Sequence, residues 1–204
     1  MHKEVLTSKQ LELLSLIKSF KKDFGLVGGT AIALQIGHRQ SIDFDLFSNK
    51  KIDRAQIRKK ILANKKKIDQ VLVDNQDEYT VLVAGVKLTF LYYPFKIDFS
   101  KKFEDVIKMP DILTLSAMKA YTLGRRAKWK DYVDLYFVIK DHYLIDKIIK
   151  KAKKIFGNEF NEKIFRTQLS YFKDIDYTEE IIYLEEFKSK DEAVKKNLIK
   201  NSLR

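Results

Sequence analysis

The chain has 204 residues, no cysteine and a formal net charge of +12 at pH 7, from 40 Lys and Arg against 28 Asp and Glu. The lack of cysteine excludes disulfides, thiolate nucleophiles and Cys-containing zinc sites, and it fits a reducing compartment. No apolar run approaches the ~18 residues that a membrane helix needs, so we expect a folded cytoplasmic protein that does not bind membranes.

The first part of the chain mixes helix and strand patterns. Thr7 to Gln10 has the form of a capping box, and apolar residues at helical spacing follow it, which predicts an amphipathic helix. A short apolar segment at 24–27 ends at Gly28-Gly29, and a helical pattern follows over 31–36. This order predicts a strand, a tight turn and a helix.

The segment 41–47 alternates with a period of two, which predicts a strand with Ile42, Phe44 and Leu46 facing the core. A helical segment at 53–64 and a strand at 71–74 follow it. Two further strands flank Ala84-Gly85 as a hairpin, and Pro94 ends the second of them.

Beyond Pro110 the pattern becomes helical. Asp111 can cap a first helix that runs to about Leu123, and a second helix begins near Lys130. Helical periodicity continues through most of the remainder, where Pro and Gly are almost absent. We therefore predict a mixed α/β lobe over residues 1–108 and a helical lobe over 109–204.

Two acids and a glycine pair predict the chemistry. Asp43 and Asp45 lie two apart on a strand, so both carboxylates face the same way, at a spacing of a little over ~6 Å. Such a pair can bind a hard divalent cation and bridge it to substrate phosphates. Gly28 and Gly29 let phosphate oxygens approach the N–H groups that begin the next helix, where Thr30 adds a hydroxyl. Together these features predict phosphoryl or nucleotidyl transfer.

The same residues resemble a known family. Gly28-Gly29, thirteen residues and then Asp43-x-Asp45 resemble the signature of the DNA polymerase β-like nucleotidyltransferase superfamily. Within it, the chain resembles the abortive-infection nucleotidyltransferase toxins of the AbiEii/AbiGii type, through Gly28-Gly29-Thr30-Ala31, Gly37-His38-Arg39, Ser41 and Asp43-Phe44-Asp45-Leu46-Phe47. A second block, MKAYTLGRRAKWKDYVDL at 118–135, is similar to that family's downstream motifs through Lys119, Arg125, Lys130-Asp131 and Asp134-Leu135.

The resemblance implies an α+β fold, with a polymerase β-like nucleotidyltransferase lobe of mixed sheet and flanking helices, and a C-terminal helical lobe that completes the nucleotide cleft. It implies catalysis by Asp43 and Asp45, which would bind Mg²⁺ or Mn²⁺, and by Lys119 and Asp131 of the helical lobe. The phosphates of a nucleoside triphosphate would be held by Gly28, Gly29, Thr30, Arg39, Ser41, Lys119 and Arg125.

The resemblance also implies partners. RNA, and tRNA in particular, would be the acceptor, and a cognate antitoxin would restrain the protein in a toxin–antitoxin or phage-defence system. The positive charge fits a polyanionic partner, although lysines on solvated helix faces explain it equally well. A transferase for small cationic aminoglycoside-like molecules would need an acidic acceptor cleft, and the net charge argues against it.

One position departs from the superfamily pattern. Many polymerase β-like enzymes carry a third carboxylate on the next central strand, where this chain has Thr89. Asp98 is a candidate third metal ligand if that strand extends further or pairs in another register. Without a third acid, two-metal catalysis is weakened, which leaves a one-metal site. The alternative is a catalytically inactive nucleotide- or RNA-binding module, or an antitoxin, on the same scaffold.

Several of the individual residues have structural explanations that the sequence leaves open. Arg39 could hold a phosphate or pair with a nearby acid. Lys119 could be an ordinary surface lysine, and Lys130 with Asp134 could form a stabilising i,i+4 pair. The two acids could lie on a solvated edge strand, although their apolar neighbours favour an interior one.

Overall fold

The computed structural model describes residues 1–203 and divides by its internal contacts into two units, Met1–Asp111 and Ile112–Arg204. The boundary drawn from the sequence lay at 108/109. Within the described residues, no helix combines the length and the hydropathy needed to cross a lipid bilayer.

The first unit contains both strands and helices. Its elements, in chain order, are α1 (Ser8–Glu12), α2 (Leu14–Ser19), β1 (Gly25–Val27), α3 (Gly28–Ile36), β2 (Phe44–Ser48), α4 (Arg54–Ala63), β3 (Gln70–Asp74), β4 (Glu78–Val83), β5 (Val86–Tyr92), β6 (Lys101–Phe103) and β7 (Ile107–Met109). The short hairpin of β6 and β7 was not predicted, because three-residue strands are too short to show a period of two.

The predicted N-terminal capping box is confirmed. The Thr7 side chain accepts from the Gln10 N–H, and the Gln10 side chain accepts from the Thr7 N–H at 3.0 Å. The helix that follows is interrupted at Leu13, so the predicted single helix consists of α1 and α2.

Five strands form one mixed sheet in the order β1-β2-β5-β4-β3. β2 and β5 are parallel, and the other neighbouring pairs are antiparallel. The predicted hairpin is confirmed, with φ of 50° at Ala84 and 73° at Gly85, as a tight hairpin turn requires. β5 ends at Tyr92, before Pro94, also as predicted.

The core face of β2 carries Phe44 and Leu46, both fully buried. The prediction that Ile42 shares this face is wrong, because Ile42 is 55% exposed. The strand begins at Phe44, and the chain before it is held outside the sheet, where the Ser41 N–H donates to the Val5 carbonyl at 3.1 Å. The period of two therefore starts later than the sequence pattern indicated.

The second unit is helical, as predicted, and the α+β fold class is confirmed. Its α-helices are α5 (Ile112–Leu123), α6 (Trp129–Asp141), α7 (Ile145–Phe156), α8 (Glu162–Ser170) and α9 (Asp191–Ser202). α5 packs against α6, α7 and α8, and α9 packs against α6 and α8. Helix was predicted for most of the chain after α6, and the part that is not helical is 171–190, which is irregular apart from short turns such as Glu185–Phe187.

Candidate active site

Asp43 and Asp45 lie on one half-exposed face at the start of β2. Asp43 immediately precedes the strand, and Asp45 is its second residue. Asp45 stands opposite Val27 of β1 on one side and Thr89 of β5 on the other. β2 is therefore an interior strand, and the edge-strand alternative is wrong.

The first glycine of the pair is required by the position of Asp45. Gly28 follows β1 directly, begins α3 and has a φ of +71°, in the left-handed region. A Cβ at this position would overlap the Asp45 carboxylate. Gly28 is thus needed both for its backbone conformation and for the close approach of an acid. The second glycine, Gly29, has no positive φ in the described structure.

Thr30 and Ser41 hold the backbone of Asp43 in the structure. The Thr30 hydroxyl donates to the Asp43 main-chain carbonyl and lies 2.8 Å from the Ser41 hydroxyl. Gln10 adds a side-chain N–H donor to the same carbonyl at 3.3 Å. All three side chains are buried, so this arrangement positions an acid, whereas the sequence analysis assigned Thr30 and Ser41 to phosphate. The contribution of Gln10 was missed because its capping pattern already explained it.

Lys87 of β5 contacts Asp43, one of the two acids, and this contact was not predicted. Its Nζ lies 2.7 Å from Asp43 Oδ2, and the two side chains are 34% and 15% exposed. The parallel register aligns Phe44 with Leu88, which places Lys87 beside Asp43. The alternation along β5 could have predicted this contact, because Lys87 and Thr89 lie on the same face of that strand.

The third carboxylate of the superfamily pattern is not found beside the pair. Thr89 occupies the position next to Asp45. Asp98 is exposed and lies in irregular chain after β5, where it lines a cavity with Gly25. In the part of the chain that the structure describes, no three His, Cys, Asp or Glu side chains are grouped to share a metal ion.

Two carboxylates nevertheless suit one kind of cation. Mg²⁺ is commonly bound by one or two protein carboxylates, with water and substrate phosphates completing its coordination. Asp43 and Asp45 meet this requirement, and the Asp45 carboxylate lies against Gly28, in the space that a Cβ there would fill. The residues present therefore fit a magnesium ion that arrives with a phosphorylated substrate.

Arg39 and His38 are interior residues of the first unit. Arg39 is 4% exposed, and its Nη1 donates to the Gln40 carbonyl at 2.9 Å. His38 is fully buried. Burial of this degree leaves little of the guanidinium accessible to a phosphate.

The second unit brings together residues of the downstream block. Lys119 Nζ contacts the Asp131 carboxylate and lies 3.0 Å from Asp134 Oδ2. Arg126 Nε lies 2.9 Å from the other Asp131 oxygen. The Lys119 side chain is 7% exposed and both aspartates are fully buried, so the surface-lysine alternative is wrong.

Lys119 and Arg126 are two cations beside Asp131, and Lys119 also lies beside Asp134. Burial raises the pKa of Asp131, but the positive charges of Lys119 and Arg126 and their hydrogen bonds outweigh it, so the pKa lies below its usual 3.8. Asp131 is therefore ionised at neutral pH. Buried ion clusters of this kind occur where a protein holds charged groups in fixed positions.

The arginine in contact with Asp131 is Arg126, whereas the sequence analysis selected its neighbour Arg125. The Arg125 guanidinium lies 4.2 Å from the centre of the Tyr121 ring and donates to its hydroxyl at 2.6 Å. The Arg125 side chain is 55% exposed. Helical spacing could not decide between the two arginines, because both lie in the connection between α5 and α6.

Lys130, from the same block, pairs with Glu179 of the irregular segment. Lys128 reaches the same carboxylate at 2.6 Å. Burial raises the pKa of Glu179, but the hydrogen bonds from the two lysines outweigh it and bring the pKa to about 2. Lys130 therefore helps to anchor the segment 171–190, a role that helical spacing did not indicate.

A family model and a relative both match most of this chain. The family model described as "Nucleotidyl transferase AbiEii toxin, Type IV TA system" matches residues 13–198. An uncharacterised protein of Aquifex aeolicus (strain VF5) is 31% identical over an alignment of 159 residues, and the match covers 74% of this chain and 75% of that protein.

Solved structures share the fold at low identity. MenT4, a nucleotidyltransferase toxin of Mycobacterium tuberculosis H37Rv, matches with a TM-score of 0.64 at 10% identity, over 95% of this chain and 81% of that chain. JHP933 of Helicobacter pylori matches with a TM-score of 0.59 at 15% identity, over 97% of this chain and 92% of that chain.

Proposed function

Because the chain belongs to the AbiEii nucleotidyl transferase toxin family, we propose that it transfers a nucleotidyl group from a nucleoside triphosphate to an acceptor hydroxyl. The observation that supports this most directly is the contact between Gly28 and Asp45. It joins the start of a helix, where N–H groups can bind phosphate, to a pair of carboxylates that suits a divalent cation.

In the proposed reaction, the acceptor oxygen forms a bond to the α-phosphorus of the triphosphate. The bond between the α-phosphorus and the bridging oxygen breaks, pyrophosphate leaves, and the hydroxyl proton is released to water. Asp43 and Asp45 would hold Mg²⁺ or Mn²⁺, which when bound neutralises phosphate charge and polarises the α-phosphoryl group. The N–H groups at Gly28 and Gly29 would orient the phosphates.

For the second unit we propose that Lys119 and Asp131 take part in the same reaction, with Lys119 contributing its charge to phosphate binding. The structure gives Lys119 two carboxylate partners, Asp131 and Asp134. The contribution we propose for Lys119 is that of a compact positive charge, which neutralises phosphate charge effectively. Arg126, which supports Asp131, replaces Arg125 in this proposal.

The proposed acceptor is RNA, and tRNA in particular. The support is the family and the net charge of +12, which favours a polyanionic partner. By the same family membership we propose a cognate antitoxin as a protein partner, and action in the cytoplasm in a toxin–antitoxin or abortive-infection system. Each of these is open to direct test.

A second candidate function has its own observation. Thr89 stands where a third acid would be expected, and Lys87 contacts Asp43. Both features weaken the case for tight metal binding by the apoprotein. They favour a catalytically inactive nucleotide- or RNA-binding module, or an antitoxin, on the same scaffold.

The test is transfer of label from each of the four α-³²P nucleoside triphosphates to total bacterial tRNA with Mg²⁺. Asp43→Asn and Asp45→Asn would be compared with Asp77→Asn, which removes an exposed acid from the turn between β3 and β4. We expect labelled RNA from the wild type and Asp77→Asn only. Saturable triphosphate binding without labelled RNA would instead support the inactive module.

A further inference from the structure

A cavity of about 380 Å³ lies in the first unit, at the C-terminal end of β2. The residues around it come from the start of β1, the end of β2 and the segment 93–99. We call it the lysine-lined cavity. Its volume is within the range of ~300–1,000 Å³ that small-ligand sites occupy.

The charge around the lysine-lined cavity is strongly positive. Among the residues that line it are Lys22, Lys50, Lys96 and Lys108. In the described residues 1–203, none of these four exposed ammonium groups has a carboxylate within ion-pair distance. Of the two acids in the lining, Asp23 is already paired with Lys60 at 2.7 Å and Asp98 is exposed, so the five lysines of the lining outnumber its acids. The cavity therefore has cations without protein counterions, which favours an anionic ligand.

Aromatic rings form much of the remaining lining. Phe47, Tyr93, Phe95 and Phe99 all border the cavity, and each is only half-buried. The Tyr93 ring lies 4.9 Å from that of Phe47 and 5.2 Å from that of Phe95, centre to centre. Phe99 packs so closely on Gly25 that a Cβ there would overlap its ring. Half-exposed rings beside unpaired lysines are the features with which proteins bind single-stranded nucleic acid.

The lysine-lined cavity is also close to the acid pair. Phe47 follows Asp45 by two residues on β2, so the two side chains lie on the same face of the sheet. Two residues of a strand span about 7 Å. A chain of nucleotides seated on Phe47 would therefore have its next unit within reach of Asp45.

From this juxtaposition we propose that the lysine-lined cavity binds the single-stranded end of the RNA acceptor, with bases stacked on its rings and phosphates paired with its lysines. The identity of the strand as acceptor rests on the proposed function. The proposal that rings and lysines bind this strand depends only on the residues that line the cavity. Stacking on rings tolerates any base, so we expect little sequence preference and a strong dependence on salt.

The test measures binding by fluorescence anisotropy, in EDTA and without triphosphate, so that it does not depend on catalysis. The probes are a fluorescein-labelled 12-nucleotide RNA, its blunt duplex, and that duplex with a four-nucleotide 3′ overhang. The charge variant is Lys22→Glu/Lys96→Glu. Its matched control, Lys59→Glu/Lys67→Glu, changes the net charge equally at exposed lysines that do not line the cavity.

We expect the cavity charge variant to weaken binding of the single strand and of the overhang at least tenfold, and the control to weaken it less than twofold. Phe95→Ala should weaken it at least fivefold, and Phe95→Trp should bind nearly as the wild type does. Tyr171→Ala, which removes an exposed ring elsewhere, should have no effect. Circular dichroism and thermal unfolding would establish that each variant is folded.

Two results would overturn the proposal. The first is equal binding of the single strand by the cavity variants and the control. The second is a matching loss of triphosphate binding in the cavity variants, which would assign the cavity to the base of the triphosphate. Cavity-dependent strand binding by a protein that transfers no label would contradict the proposed function and support the cavity as a strand site.

Discussion

Lys87 contacts Asp43 across the parallel strands β2 and β5, with 2.7 Å between Nζ and Oδ2. The ammonium thus neutralises one of the two carboxylates that we propose as metal ligands. A cation that binds this pair must compete with Lys87 or bind beside it. The register of these two strands therefore sets how Lys87 would compete with the metal that we propose for this pair.

Removing that ammonium should strengthen metal binding. In Lys87→Met, Asp43 loses a positive neighbour, so we expect Mn²⁺ to bind about three- to tenfold more tightly, which corresponds to roughly 1 kcal/mol. Electron paramagnetic resonance of free Mn²⁺ measures the affinity without reference to activity. Lys59→Met, at an exposed position on α4, should leave it unchanged. Equal affinity in both variants would show that Lys87 does not compete with the metal.

Thr89 offers the converse test, because it is the register partner of Asp45. Thr89→Asp places a third carboxylate beside the pair, so we expect a lower Tm in EDTA from like-charge repulsion and recovery of that Tm with Mn²⁺. An Asn side chain has nearly the same shape as Asp but carries no charge, so Thr89→Asn serves as the control. Recovery of both variants to the same extent would argue against a metal site at these strands.

The two glycines should differ in their sensitivity to substitution. Gly28→Ala introduces a left-handed alanine, at a cost of roughly 1–2 kcal/mol, and a methyl group that overlaps the Asp45 carboxylate. We therefore expect a loss of at least about 2 kcal/mol in the free energy of unfolding, measured in urea. Gly29→Ala, without a positive φ, should cost less. A larger loss at Gly29 would contradict the account of this turn.

Lys119→Met should destabilise the protein strongly at neutral pH. It leaves Asp131 and Asp134 buried with a cation removed, so we expect a loss of roughly 3–5 kcal/mol. Lys147→Met, at an exposed position on α7, should change the stability little. Urea unfolding at several pH values provides the measurement.

The pH dependence of that loss has a definite sign. In the wild type the folded pKa of Asp131 lies below its usual 3.8, so its contribution is complete above that pH and is lost as the pH falls through the lower folded value. In Lys119→Met the buried carboxylates lose a cation and their pKa values rise, so protonation relieves the variant as the pH falls. The difference between the two proteins should therefore shrink from pH 7 to pH 4. A constant difference would mean that the loss comes from packing.

Much of the fold followed from local patterns. The capping box at Thr7, the turn at Ala84-Gly85 and the end of β5 before Pro94 depend on a few neighbouring residues, and the structure confirms all three. The sequence pattern predicted that β2 starts earlier than it does. The alternation of residue types extends back to Ile42, whereas in the described structure the pairing of this strand with β1 and β5 begins only at Phe44 and Asp45. The alternation of residue types indicates which face of a strand can be buried, but it does not indicate at which residue the pairing with neighbouring strands begins.

By itself, the sequence determined the glycine pair, the two acids on one face and the resemblance to a nucleotidyltransferase family, because each lies within one short segment. The contact of Lys87 with Asp43, and the contact of Arg126 rather than Arg125 with Asp131, became visible only in the folded chain. The same holds for the hydrogen bond from Thr30 to the Asp43 carbonyl and for the contact of Thr30 with Ser41. These contacts depend on strand register and on irregular connections, where small shifts along the chain exchange one neighbour for another and leave the local periodicity unchanged.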